Sequence, residues 1–122
     1  MTTTRRRELG CPGHFIAAAW CHFRRHTQVP GYRISTVGDY RPSGSLERVP
    51  IGGGEHDWFE TAVFRTTGRQ VEGHEGCGCE EVATWARVDG ERYMAIGDAQ
   101  AGHERMAKKW SGTHTMTRHA RP

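Results

Sequence analysis

Alternation of apolar and polar positions dominates the first half of the chain. Over residues 14–29, Phe15, Ala17, Ala19, Cys21 and Phe23 fall on one side, and His14, Ile16, Ala18, Trp20, His22, Arg24 and His26 on the other. A period of two belongs to a strand, although the run Ala17, Ala18, Ala19 would equally suit a helix. Pro30-Gly31 then signals a tight turn. A second strand is predicted over residues 32–40, with Tyr32, Ile34, Thr36 and Tyr40 on one side and Val37 opposite. The short connection makes the two an antiparallel hairpin. A third strand is expected from about residue 58 to residue 67. It sets Trp58, Ala62 and Phe64 against Phe59, Thr61 and Val63, and apolar residues on both sides suit a covered strand. Between these elements, residues 42–54 are rich in turn formers and residues 68–80 form a polar, glycine-rich loop. A short fourth strand is expected over residues 82–88, followed by a turn at Asp89-Gly90.

The period changes near the C-terminus. Ala99, Gly102, His103, Met106 and Trp110 recur at spacings of three and four, which is one stripe of a helix. Asp98 is placed to cap it and Gly112 to end it. A glycine inside the stripe costs about 1 kcal/mol relative to alanine, so Gly102 is expected where the helix approaches the sheet closely. The fold class that follows is α+β: a three- or four-stranded antiparallel sheet with one C-terminal helix packed on one face. The other face is expected to be wet or a partner interface, and a homodimer would cover Trp20, Trp58 or Phe64 if they lie there. Residues 1–10 read as a disordered N-terminal tail, 11–112 as a single α+β domain, and 113–122 as a basic C-terminal tail.

Composition narrows the class. A chain of 122 residues is one domain by size. Only 35% of its residues are hydrophobic and the mean hydropathy is −0.74, so the core is thin or completed by a partner. The formal charge of +3 permits contact with phosphate or an acidic partner without demanding it. The longest apolar run, residues 15–20, is too short for a membrane span or a signal-peptide core. The expected location is therefore the cytoplasm, where Cys11, Cys21, Cys77 and Cys79 stay reduced.

Several groupings could carry chemistry. His74, Cys77 and Cys79 lie within six residues, and Cys11, followed by His14, could complete a zinc set. The paired Cys-x2-Cys spacing of zinc ribbons is absent, and two reduced loop thiols are the plainer expectation. His22, Arg24, Arg25 and His26 form a basic cluster that could bind a phosphate or carboxylate, with Trp20 placed to stack on a base. The plainer alternative is a solvated or partner-facing surface. Gly52, Gly53 and Gly54 fit neither phosphate-loop template. His56, Asp57 and Glu60 could be imagined as acid and base, but spacing fixes no nucleophile beside them. His103, on the helix stripe, is expected to be a packed histidine.

The segments Cys21-His22-Phe23-Arg24-Arg25-His26-Thr27, Ser35-Thr36-Val37-Gly38-Asp39-Tyr40 and Glu60-Thr61-Ala62-Val63-Phe64 resemble small uncharacterised proteins of bacteriophages and prophages. So does the closing pattern of Tyr93, Ala99, Gly102-His103, Lys108, Lys109 and Trp110. Ala62 stands where those proteins commonly have methionine, and Ala95 where they often have threonine. The resemblance spans roughly residues 13–110 and implies a phage or prophage gene product, without naming an activity. The expectation is a non-enzymatic accessory protein that binds a host or phage macromolecule, such as a defence or regulatory factor it would inhibit. The alternatives are a protein that binds or sequesters a nucleotide or other anionic small ligand, and a minor virion component.

Overall fold

The computed structural model describes residues 7–9, 20–42, 47–51, 57–70 and 80–120. Six strands and one helix follow in chain order: β1 (Arg7–Glu8), β2 (Cys21–Val29), β3 (Tyr32–Tyr40), β4 (Phe59–Gln70), β5 (Glu80–Val82), β6 (Asp89–Tyr93) and α1 (Ile96–Ala120). They form one antiparallel sheet in the order β1-β2-β3-β4-β5, with β6 pairing β4 on the same side as β5. The α+β class and the C-terminal helix agree with the sequence pattern. Two very short strands, β1 and β5, widen the sheet beyond the predicted number.

The β2–β3 hairpin closes where expected. Val29 pairs with Tyr32 across Pro30-Gly31, and Gly31 has φ +85°, a value that costs glycine nothing. The tip is held by the Thr66 amide, which donates to the Gly31 carbonyl at 2.9 Å.

Register decides which side chains share a face, because alternate residues point to opposite sides. Arg25, Thr36, Thr61 and Glu91 form one row across β2, β3, β4 and β6. Phe23, Gly38, Phe59 and Tyr93 form the row beside it; Thr27, Ile34, Val63 and Asp89 form the row on the other side. This is the face α1 covers. Ala99 packs with Phe59 and Tyr93 at one end of the seam, and Met106 with Val29, Ile34 and Val63 at the other. Trp110 closes that second end against Tyr32, with ring centroids 4.8 Å apart. Gly102 stands where a side chain would not fit: a Cβ there would lie 2.2 Å from the Tyr93 hydroxyl.

The opposite face carries His26, Ser35, Val37, Asp39, Glu60, Ala62 and Phe64, all buried. Part of its cover is local. Trp85 packs edge-on against Phe64 at 5.0 Å, and the Arg48 guanidinium lies 4.3 Å from the centre of the Trp58 ring. Trp20 and Trp85 are the exposed tryptophans.

Five expectations need correction. The strand expected over residues 82–88 is absent beyond Val82, the last residue of β5. The Ala83 amide bonds to Arg65 and the Val88 amide to Val63, and between them the chain leaves β4. The Thr84 hydroxyl accepts from the Ala86 amide at 3.2 Å, a local turn bond that competes with the ladder. Asp89-Gly90 is the start of β6 rather than a turn. The helix starts at Ile96, so Asp98 lies in its first turn instead of capping it; the Ala99 amide already donates to the Ala95 carbonyl at 3.1 Å. An acid there still complements the helix dipole. Gly112 does not end α1, which continues through the segment predicted as a tail. The N-terminal tail likewise contains β1, where Arg7 and Glu8 pair with Gln28 and Thr27.

Candidate functional site

The middle of the α1 seam is polar. His103 is completely buried, and both of its ring nitrogens are bonded. Nε2 lies 2.7 Å from the Thr27 hydroxyl and Nδ1 2.6 Å from the Thr36 hydroxyl. The Thr36 and Thr61 hydroxyls are 2.5 Å apart. The Tyr93 hydroxyl reaches Thr61 at 3.1 Å and a Glu91 carboxylate oxygen at 2.8 Å. At the other end the Thr27 hydroxyl meets both Glu8 carboxylate oxygens at 3.0 Å. A continuous chain thus runs under the helix: Glu8, Thr27, His103, Thr36, Thr61, Tyr93, Glu91. Its ends are clamped by arginines. Arg25 binds Glu8 at 3.2 Å and Glu104 at 2.6 Å, and Arg105 pairs with Glu91.

Threonine suits these positions. Its branched carbon favours the strand while its hydroxyl supplies a donor and an acceptor to a neighbour on the same face. Burial pushes the Tyr93 phenol up to about 12, Glu91 beside it adding to the rise, so Tyr93 keeps its proton and donates.

A second polar cluster sits on the opposite face. Asp39 is buried in β3 with φ +51°, a left-handed conformation that aspartate tolerates better than most residues. Arg41 donates to its carboxylate at 2.7 Å and Arg48 bonds the other oxygen. Burial alone would raise the Asp39 carboxyl, but these two guanidiniums outweigh it and hold it below the ordinary range. A lowered folded-state value makes its contribution to stability present above the ordinary carboxyl range, and that contribution is lost as pH falls through the folded value. Asp39→Asn should therefore destabilise the protein at pH 7 and make little difference near pH 2, read by urea unfolding at both. Equal effects at the two values would show that the ion pairs contribute nothing.

The basic cluster read from β2 is divided by the pleat. His22 and Arg24 are exposed, with His22 Nδ1 3.9 Å from Asp39. His26 shares their face but is buried, its Nδ1 3.0 Å from the Ser35 hydroxyl. Arg25 points to the other face, toward Glu8 and Glu104. The four do not converge on one ligand. His74, Cys77, Cys79 and Cys11, with His14, lie outside the described residues, as do Gly52, Gly53, Gly54 and His56. Among the described residues there is no metal-binding cluster of histidine, cysteine and acid. Glu60 is bonded by Arg87 at 2.8 Å and Arg92 at 3.0 Å, and Arg92 lies 3.5 Å from Asp57, which is an ion-pair network. Burial pushes the Cys21 thiol up to about 11, which keeps it in the unreactive thiol form.

The surface opens along β6. One cleft of about 450 Å³ is lined by residues 87–92. Another, of about 390 Å³, lies where β6 faces α1 and is lined by Glu91, Tyr93, Met94, Ala101 and Arg105 among others. Met94 and Ile96, at the β6–α1 connection, are large apolar side chains about half exposed. Among the described residues β6 pairs only with β4, leaving its outer edge to these clefts.

Compared with protein-family models, curated proteins and solved structures, the chain matches none. No helix among the described residues is long and apolar enough to cross a membrane.

Proposed function

We propose that this protein is a non-enzymatic binding module, a phage or prophage gene product of the bacterial cytoplasm, that takes an extended segment of a partner protein along the outer edge of β6. The observation that carries this reading is the pair of clefts flanking that edge, with Met94 and Ile96 exposed at one end. An edge strand offers main-chain hydrogen bonds to an added strand, and a neighbouring pocket selects a side chain of the incoming segment. Tyr93, Met94 and Ala101 line that pocket beside Glu91, Arg92, Asp98 and Arg105, so a side chain with an apolar stem and a polar head is the expected anchor.

A binding role is also favoured by where the acid–base groups lie. His103 and its threonines are enclosed between α1 and the sheet, where no substrate atom reaches them. The remaining acids and arginines of the β6 region are engaged with one another.

Peptides selected from a random display library on the full chain would test the reading. They are expected to perturb amide resonances of residues 89–94 and to bind Met94→Glu at least about tenfold more weakly, which is about 1.4 kcal/mol. Perturbations confined to β2, or undiminished affinity for the variant, would remove β6 as the site.

A further inference from the structure

At one end of the sheet two arginines share a single carboxylate. Arg41 donates to one Asp39 oxygen at 2.7 Å, and Arg48 bonds the other. A guanidinium carries several N–H donors in a planar fork. Asp39 takes one from each arginine, so most of the donors are left over, on side chains 31% and 39% exposed. The carboxylate that gathers them is itself buried. Arg48 is also held by the Trp58 ring. Both guanidiniums are thus fixed in place before any ligand arrives.

β2 extends the cluster. His22 Nδ1 lies 3.9 Å from the same Asp39 carboxylate. Arg24 is exposed two residues further on, about 7 Å along the strand, and no carboxylate among the described residues pairs with it. Trp20 is half exposed, and its carbonyl accepts from the Arg41 amide at 3.0 Å, which ties it to the arginines. Even counting the exposed Glu47, three arginines stand against two carboxylates. Of the four basic residues read from β2, the pleat removes Arg25 and burial removes His26. The fold brings Arg41 and Arg48 to the cluster instead.

We infer that Arg41 and Arg48, held on Asp39, form with His22 and Arg24 a site for the phosphates of a single-stranded nucleic acid, with Trp20 as the ring on which a base stacks.

Phosphate oxygens accept hydrogen bonds, and the guanidinium fork matches them in pairs. Side chains already fixed lose little freedom on binding. The cations are strung along β2 and past the end of β3, so they meet successive phosphates of a chain. An exposed indole stacks on a base whose face is open, which a single strand offers and a duplex does not. β4 separates this surface from β6, so it is independent of the peptide edge.

Fluorescence anisotropy of a labelled oligothymidylate with the full-length protein tests the site. Binding should have Kd about 10⁻⁴–10⁻⁶ M at physiological salt, and its logarithm should change with log salt at a slope of about 2, from three arginines at about 0.7 each. Arg24→Glu should weaken binding at least about fivefold and lower that slope by about 0.7. Trp20→Ala should weaken it about tenfold. Arg69→Glu makes the same change of net charge at the far end of β4, on a side chain 77% exposed, and should alter the affinity less than about twofold, because distant exposed charges are screened. Equal losses for Arg24→Glu and Arg69→Glu would mean attraction by net charge alone and would overturn the site. So would no binding at low salt, a duplex bound as tightly as the strand, or a mononucleotide bound as tightly as the oligomer.

Discussion

Replacing His103 with leucine should destabilise the fold by about 1–3 kcal/mol, since two buried hydrogen bonds are lost at about 0.5–1.5 kcal/mol each. Leucine fills most of the volume, so the loss comes from the missing hydrogen bonds rather than a cavity. Thr27 and Thr36 both lose their partner on the helix. Against a total stability of about 5–15 kcal/mol this is a large fraction. Pairing His103→Leu with Thr36→Val should recover part of the loss, because removing both partners of a buried bond costs less than removing one. Urea unfolding of both singles and the double measures the coupling. Strict additivity would mean that the 2.6 Å contact between His103 and Thr36 contributes nothing.

Gly38→Ala should cost about 2–3 kcal/mol, the upper part of the range for forcing extra volume into a packed core. A Cβ at position 38 would lie 2.3 Å from the Phe59 ring and 2.7 Å from the Phe59 Cα. The ring could swing aside, at the expense of its edge-on contact with Phe23 at 6.3 Å, but the backbone atom cannot. β3 and β4 would have to separate locally, where Gly38 pairs with Phe59. Gly97→Ala is the matched control. It lies in the first turn of α1 with open space around it, and a helical glycine replaced by alanine gains up to about 1 kcal/mol. Thermal unfolding should move in opposite directions for the two variants. A Gly38→Ala midpoint equal to that of the parent would show that the Phe59 contact relaxes freely.

The elements were readable wherever one period ran unbroken. β3 appears over the predicted residues because Tyr32, Ile34 and Thr36 alternate cleanly and Pro30-Gly31 fixes the turn. Gly102 was readable as a close approach because a glycine has no other reason to interrupt a helical stripe. Residues 82–88 misled because Val82, Ala83, Trp85 and Val88 look strand-like, while the Thr84 turn bond and the packing of Trp85 on Phe64 are not visible in a pattern. Gly112 misled because its penalty is small beside a helix that continues on both sides.

The polar seam was the least legible part. It joins residues from six elements, and its key members, Thr27, Thr36 and Thr61, count as ordinary strand residues in any scale. The one signal was His103 itself, which the helical stripe set on the packed side of α1. The basic residues of β2 drew attention for their charge, but the pleat sends Arg25 to the opposite side from His22, Arg24 and His26.

The seam also solves a problem of addressing. A helix laid on a uniformly greasy sheet can slip by a turn, or rotate, and bury nearly as much. Here apolar zones built on Ala99 and on Met106 flank a single polar stripe. Moving α1 along its axis by one turn would set Ala99 or Ala107 against the threonines and push the His103 ring into hydrocarbon. Every slipped arrangement strands polar groups, so the thin core of this chain encodes one docking position instead of several of nearly equal energy.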